Sequence, residues 1–235
     1  MQFKIGFRWK AGIKFEGDFG SMELCIKAAM KAGVDLRGSD LRGSNLRGSN
    51  LRGSDLSGSN LSDSDLRDSN LSGSDLRDSD LRDSDLRDSN LSGSDLRGSD
   101  LSGSNLSGSD LSGSDLSGSD LSDSNLTPIR DDFWAVLSSA PAEVPALVQA
   151  LKDGKVNGST YTGECACLVG TIANAKKCDY REIKGLIPNS HRPAEMFFTA
   201  IKPGDTPKKN AAAKLSVEWA EEWLTRMRAA FSVKV

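Results

Sequence analysis

The sequence predicts a β-solenoid of about five coils. An N-terminal β-hairpin and helix form its cap over residues 1–33, and a mostly α-helical C-terminal domain occupies residues 128–235. Three observations predict this. From Val34 to Thr127 the chain repeats every five residues, with Leu at each fifth position. That period fits neither a helix, at roughly 3.6 residues per turn, nor an extended strand, at about 2, so the backbone must turn a corner in every unit. Outside the repeat, aromatic residues alternate before it and apolar residues recur at helical spacing after it.

The spaced leucines are Leu36, Leu41, Leu46, Leu51, Leu56, Leu61, Leu66, Leu71, Leu76, Leu81, Leu86, Leu91, Leu96, Leu101, Leu106, Leu111, Leu116, Leu121 and Leu126. Each follows Asp or Asn and precedes Arg, Ser or Thr. In a unit such as Ser39-Asp40-Leu41-Arg42-Gly43, only the Leu and the Ser two before it suit an interior. Ser39, Ser44 and Ser49 begin a set of 18 such serines that runs unbroken to Ser124. One unit cannot bury its Leu, but a stack of units can. With four units to a square turn, a coil holds about 20 residues, coils stack about 4.8 Å apart, and the rod is roughly 23 Å long. Gly stands two after the Leu in 12 of the 19 units, where a corner needs a relaxed backbone. Disordered low-complexity chain is the competing reading of so much Ser, Gly, Asp and Arg, and the strict Leu spacing argues against it.

The unit S(D/N)L(R/S)(G/D) resembles the pentapeptide-repeat family, whose pattern is A(D/N)LXX. The resemblance covers residues 34–127, about two-fifths of the chain, and implies a right-handed quadrilateral β-helix. One departure stands out. The inward residue that is usually Ala in the family is Ser throughout, while neighbouring positions drift between Asp and Asn, Arg and Ser, Gly and Asp. Ala is used freely elsewhere, as in Ala28-Ala29 and Ala211-Ala212-Ala213. This pattern points to an Ala-to-Ser replacement imposed by engineering on a natural parent, with recent duplication of a Ser-bearing unit as the alternative. An unpaired buried hydroxyl costs about 1–3 kcal/mol, so a folded rod requires most of these hydroxyls to bond backbone carbonyls or one another.

At a 20-residue period, Asp35, Asp55, Asp75, Asp95 and Asp115 fall in one column, and Asn50, Asn70, Asn90 and Asp110 in another. Asn ladders are favourable in stacked coils. Asp ladders repel unless solvated or bonded to turn amides. The repeat holds 18 Asp and nine Arg, a balance of −9; the whole chain carries −3, so the remainder carries +6. This mild acidity does not indicate direct nucleic-acid binding through a basic surface. No secretory segment or membrane span is expected, and four cysteines are too sparse for a disulfide framework. The expected location is the cytoplasm, of bacterial or phage type.

In the cap, Phe3, Ile5, Phe7 and Trp9 alternate on one strand face, and Ile13 and Phe15 continue it after Ala11-Gly12. Ser21 starts a helix over Met22–Ala32 that stops at Gly33, with Leu24, Cys25 and Ala28 placed toward the solenoid end. Pro128 ends the repeat. Helices are expected over Arg130–Ser138, Ala142–Leu151, Glu164–Ala175 and Ala211–Phe231, the last with Trp219 and Trp223 one turn apart. Residues 185–210 read as loop.

Few residues suggest chemistry. A zinc site would need Cys165, Cys167, Cys178 and His191 to converge, but C-x-C within a helix splays its thiols. A Cys–His nucleophilic pair lacks a local signature. Buried inert thiols are the favoured reading, Cys25 included. Gly154, Gly158, Gly163, Gly170 and Lys155 do not make a phosphate loop. Asn157-Gly158-Ser159 reads as a turn, and Trp219 and Trp223 as packing. Lys208-Lys209 and Arg226 with Arg228 read as solvated surface. No catalytic, cofactor-binding or metal-binding residue is assigned.

The expected function is a non-catalytic structural or interaction scaffold with a protein partner, and no membrane. Neither that partner nor the oligomeric state is written in the sequence. The family resemblance supplies an alternative, since some members inhibit or protect DNA gyrase by imitating duplex DNA. Nine interrupting Arg, a short rod and a large C-terminal domain weigh against it. An enzyme in residues 128–235 is the third reading.

Overall fold

A computed structural model describes residues 1–164, 166–183, 186, 189 and 192–231. The chain forms two compact units, Met1–Leu126 and Thr127–Val235.

In the first unit, β1 (Gln2–Phe7) pairs antiparallel with β2 (Ile13–Asp18), Ile5 opposite Phe15, with an irregularity at Gly6. Helix α1 (Met22–Lys31) follows, its N-cap Ser21 hydroxyl accepting from the Leu24 N–H. β1 also pairs antiparallel with β3 (Ser39–Asp40), which joins the hairpin to the first coil.

The repeat then winds with a true 20-residue period. Parallel bridges run Asp40 to Asn60 to Asp80 to Asp100 to Asp120, with equivalent columns through the other three unit positions. Buried backbone groups must find partners, and the unit disposes of its five N–H groups in a fixed way. The Leu N–H donates one coil onward, as Leu41 to the Asn60 carbonyl at 2.8 Å. The corner N–H does the same, as Gly43 to Ser62 at 2.9 Å. The Asp/Asn N–H donates one coil back, as Asn60 to Ser39 at 2.8 Å. The Ser N–H closes a turn onto the Leu three before it, as Ser44 to Leu41 at 3.2 Å. The fifth, on the residue after the Leu, donates to the Oδ1 of the Asp or Asn two before it, as Ser72 to Asn70 at 3.0 Å. Asp or Asn before each Leu is thus the acceptor that completes the unit.

All 19 leucines point inward, none more than 4 % exposed. Corners sit in the left-handed region, and where Gly is absent Asp adopts it, as at Asp88 with φ 57°. The Asp88 carboxylate lies over the Gly108 corner, where a Cβ would stand 2.2 Å from Oδ1.

Three cap expectations need correction. Trp9 lies beyond β1 in the hairpin tip and is 76 % exposed, and Ile13 is exposed as well. The buried residues of α1 are Cys25, Ile26 and Ala29, while Leu24 faces outward. The helical stripe is therefore rotated by one residue from the expected 24/25/28 set.

The second unit contains α2 (Thr127–Ser139), α3 (Val144–Lys152), α4 (Leu168–Lys176), α5 (Pro193–Phe198) and α6 (Ala211–Phe231). Short 3₁₀ turns cover Pro141–Glu143 and Tyr180–Glu182. Phe133, Phe197, Phe198 and Trp219 pack as one aromatic cluster, with centroids 5.5–6.2 Å apart. Trp134 Nε1 donates to the Trp219 carbonyl, and Trp223 Nε1 to Ser138 Oγ. Buried Asn210 caps α6 by accepting from the Ala213 N–H. Helix α4 starts four residues later than expected. The Cys167 N–H is drawn to the Thr160 carbonyl at 2.6 Å and Ala166 bridges Val156, so both are extended. Pro193 opens a short helix inside the expected loop, at a first-turn position where its missing N–H is harmless. Gly158 is required by packing, since a Cβ there would meet the Phe198 carbonyl.

Leu81→Ala, in mid-rod, should lower the free energy of unfolding by about 2–5 kcal/mol, read from urea denaturation of the intact chain. A loss below about 1 kcal/mol would mean that the leucine column does not carry the rod.

Candidate interaction surface

The rod has four lateral faces, one per unit of a coil. Face 1 carries the Asp35 column, face 2 Asp40, face 3 Asn45 and face 4 Asn50. Arginine placement decides their electrostatics. In seven units the Arg two after an Asp folds back onto that Asp, as Arg42 onto Asp40 and Arg67 onto Asp65 at 2.8 and 2.6 Å. Arg37, Arg77, Arg82, Arg87 and Arg97 do likewise. Arg67, Arg77 and Arg82 also bring Nε to 3.6 Å from the Asp of the next coil. The expected Asp repulsion is therefore relieved by interleaved guanidiniums and by the turn amides.

The Arg hydrogen bond is the main reason why Asp35 titrates at about 2 and why Asp40, Asp65, Asp75, Asp80, Asp85 and Asp95 lie below the ordinary carboxylate range. Exposed pairs of this kind are individually weak; their number and register matter more. Asp80 is the exception in burial, at 3 % exposed. Arg8 from the hairpin approaches it at 3.5 Å and donates to the Gly58, Ser59 and Asp78 carbonyls. No local pattern signals Arg8, because its partners lie 50 to 72 residues away.

Charge is unevenly spread along this unit. Residues 1–53 hold ten Lys and Arg against five Asp and Glu, whereas residues 54–126 hold five against 16. Beyond Arg97 the repeat carries Asp100, Asp110, Asp115, Asp120 and Asp123 and no basic residue. Face 4 is nearly neutral, with Arg52 and Asp110 its only charges.

Inside, twelve of the 18 serines donate to a Leu carbonyl at 2.5–3.1 Å. Ser39 is one of them. Most bond the Leu three before, and three reach back a coil, as Ser64 to Leu41. Ser49, Ser54, Ser69, Ser89 and Ser104 are sealed in without a partner. Three of these, Ser49, Ser69 and Ser89, stack in the single column behind face 4.

In the second unit two of the candidate thiols, Cys167 and Cys178, are described. Cys165 and His191 lie outside the described residues. Cys167 is the N-cap of α4 rather than a mid-helix residue, is 2 % exposed, and burial pushes its thiol up to about 11. Cys25 is buried and Cys178 half-buried, both as free thiols. Among the described residues no group of three or more His, Cys, Asp or Glu could hold a metal ion, and no helix is long and apolar enough to cross a membrane. Sequence reasoning missed a half-buried pair. Tyr161 donates to Glu195 Oε2 at 2.5 Å, and the Asn189 N–H holds Oε1 at 3.1 Å. Burial, then this bond, raises the Tyr161 hydroxyl well above its ordinary range.

A family model described as pentapeptide repeats matches residues 32–68, 64–103 and 89–127, in eight copies. The protein alr5209 from Nostoc PCC 7120, a pentapeptide repeat protein, is 35 % identical, over 38 % of this chain and 75 % of its own. The chain belongs to the pentapeptide-repeat family. Its coil is accordingly the right-handed quadrilateral β-helix of that family. The alr5209 structure aligns with a TM-score of 0.27. Rfr23 from the cyanobacterium Cyanothece 51142 is 36 % identical over 36 % of this chain, with a TM-score of 0.36. QnrB1, a plasmid-mediated fluoroquinolone resistance protein, is 20 % identical over 38 % of this chain, with a TM-score of 0.22. The chain spans 58 % of the length of Rfr23 and 51 % of QnrB1. No curated protein matches it.

Replacing Ser49, Ser69 and Ser89 together by Ala should raise the stability of this pentapeptide-repeat rod, because three unpaired hydroxyls are removed. Replacing Ser79, Ser84 and Ser99 together should lower it by about 0.5–1.5 kcal/mol per lost bond. Equal shifts in the urea midpoint would contradict the assignment of partners.

The lowered Asp values set an acid limit. A carboxylate depressed in the folded state contributes fully above its unfolded pKa, about 3.9, and loses that contribution as pH falls through the folded value. Stability should therefore fall between about pH 4 and 2. Asp75→Asn with Asp85→Asn and Asp95→Asn keeps the Oδ1 acceptors and should flatten that fall, measured by urea midpoints across pH. An unchanged acid slope would count against the Asp–Arg ladders.

Proposed function

We propose that the chain is a non-catalytic interaction scaffold that binds a partner protein through the lateral faces of its repeat. The carrying observation is the fixed charge array on a stiff support. The coil-to-coil hydrogen bonds immobilise the backbone, so the ladders of faces 1–3 hold register without an ordering cost on binding. The stretch from Asp100 to Asp123 contains no Lys or Arg of its own, with Arg82 of the preceding coil reaching Asp100 at 3.6 Å, and it favours a partner with a basic surface. With Asp100, Asp110, Asp115, Asp120 and Asp123 changed to Asn, the intact chain should lose partners that the parent chain retains at low salt and releases at high salt. Identical sets of retained proteins would refute the reading.

The same stretch supports a second reading, a DNA-imitating inhibitor or protector of a topoisomerase. Seven Asp neutralised by their own Arg weigh against it. Gyrase supercoiling in the presence of micromolar protein separates the two readings: uninhibited supercoiling removes the second. A catalytic role for residues 128–235 is the third reading, and the burial that raises the Cys167 thiol lends it no support.

A further inference from the structure

The N-terminal end of the rod contains a cleft that the scaffold reading does not use. It lies between the hairpin, the start of α1 and the first-coil corner at residues 42–47, with a volume of about 470 Å³. A second hollow sharing Met22, Arg42 and Ser44 adjoins it. Phe3 and Met22 supply its apolar lining.

Hydrogen-bond donors with no partner among the described residues converge here. The first-turn N–H groups of α1 have no intrahelical acceptor, and Ser21 takes only that of Leu24. Arg42 commits Nε and Nη2 to Asp40 and leaves Nη1 free. Arg47 commits only Nε, to Asp68, and leaves both Nη groups. Ser44 is the independent sign of a ligand. It is 8 % exposed, lines the cleft, and its hydroxyl makes no hydrogen bond among the described residues, unlike the twelve inner serines that bond a Leu carbonyl. It also differs from the sealed orphans, because the cleft gives it access. The surroundings are basic: the first coil alone has Arg after all four leucines, at Arg37, Arg42, Arg47 and Arg52. Glu23 is the opposing charge on the cleft wall.

We propose that this cleft binds a small phosphate monoester. Its oxygens would meet the α1 N-terminus, Arg47 and the Ser44 hydroxyl, and its apolar group would lie on Phe3 and Met22. Helix N-termini and guanidinium groups both favour such a dianion, and the volume suits a compact ligand. Binding is non-covalent and requires no reaction.

Calorimetric titration of the intact chain with phenyl phosphate tests this, with inorganic phosphate and phenol run alongside. The expected result is saturable one-to-one binding of phenyl phosphate, tighter than that of either fragment. Arg47→Ala should weaken it at least tenfold and Ser44→Ala several-fold, while Arg97→Ala, an equivalent position outside the cleft, should leave it unchanged. Arg47 is exposed, so its variant is expected to fold, and its melting curve checks this. Absence of saturation at millimolar ligand, unaltered binding in Arg47→Ala, or equal weakening in Arg97→Ala would overturn the proposal.

Discussion

The structure depends on a single constraint: a chain that turns every five residues must satisfy five backbone N–H groups per unit. Three go to neighbouring coils, one closes a turn, and one goes to the Asp or Asn side chain. Each residue type in the unit follows from this. Leu fills the axis that the turns enclose. Asp or Asn supplies the fifth acceptor. Gly, or Asp in its place, accepts the left-handed corner. A hydrophobic column alone would not set the register, and hydrogen bonds alone would not exclude water from the interior.

The surface chemistry is a consequence of the same acceptor. Since the position before Leu must offer Oδ1, the choice between Asp and Asn is free with respect to the backbone and sets charge alone. The sequence uses Asp where Arg follows in seven of nine cases, and those pairs interlock along the faces. Where Ser replaces Arg, its hydroxyl often bonds the same Oδ1, as Ser92 to Asn90 at 2.6 Å. The rod can thus carry neutral, paired and acidic regions on one unchanged backbone. This is a physical basis for using it as a recognition surface.

How much of this the sequence disclosed depended on the range of the interaction concerned. The solenoid, the inward leucines and the coil period are legible because each unit repeats the same local instruction. The α1 N-cap at Ser21 is equally local. The misreadings have long-range causes. Helix α4 starts late because Cys167 is held by Thr160. The cleft serine Ser44 looks like every other inner serine until the cap is placed beside it. The Arg8 anchor on Asp80 and the Tyr161–Glu195 pair join residues that no periodicity connects. The partners of the inner hydroxyls were foreseen in kind, as carbonyls, but the orphan column behind face 4 was not.

Amide hydrogen exchange along residues 36–126 probes the N–H assignment most directly. Slow exchange should recur with a five-residue period, at the Leu, at the residue before it and at the corner, all reaching the global unfolding free energy in the central coils. Exchange near unprotected rates, or protection without that period, would contradict the account.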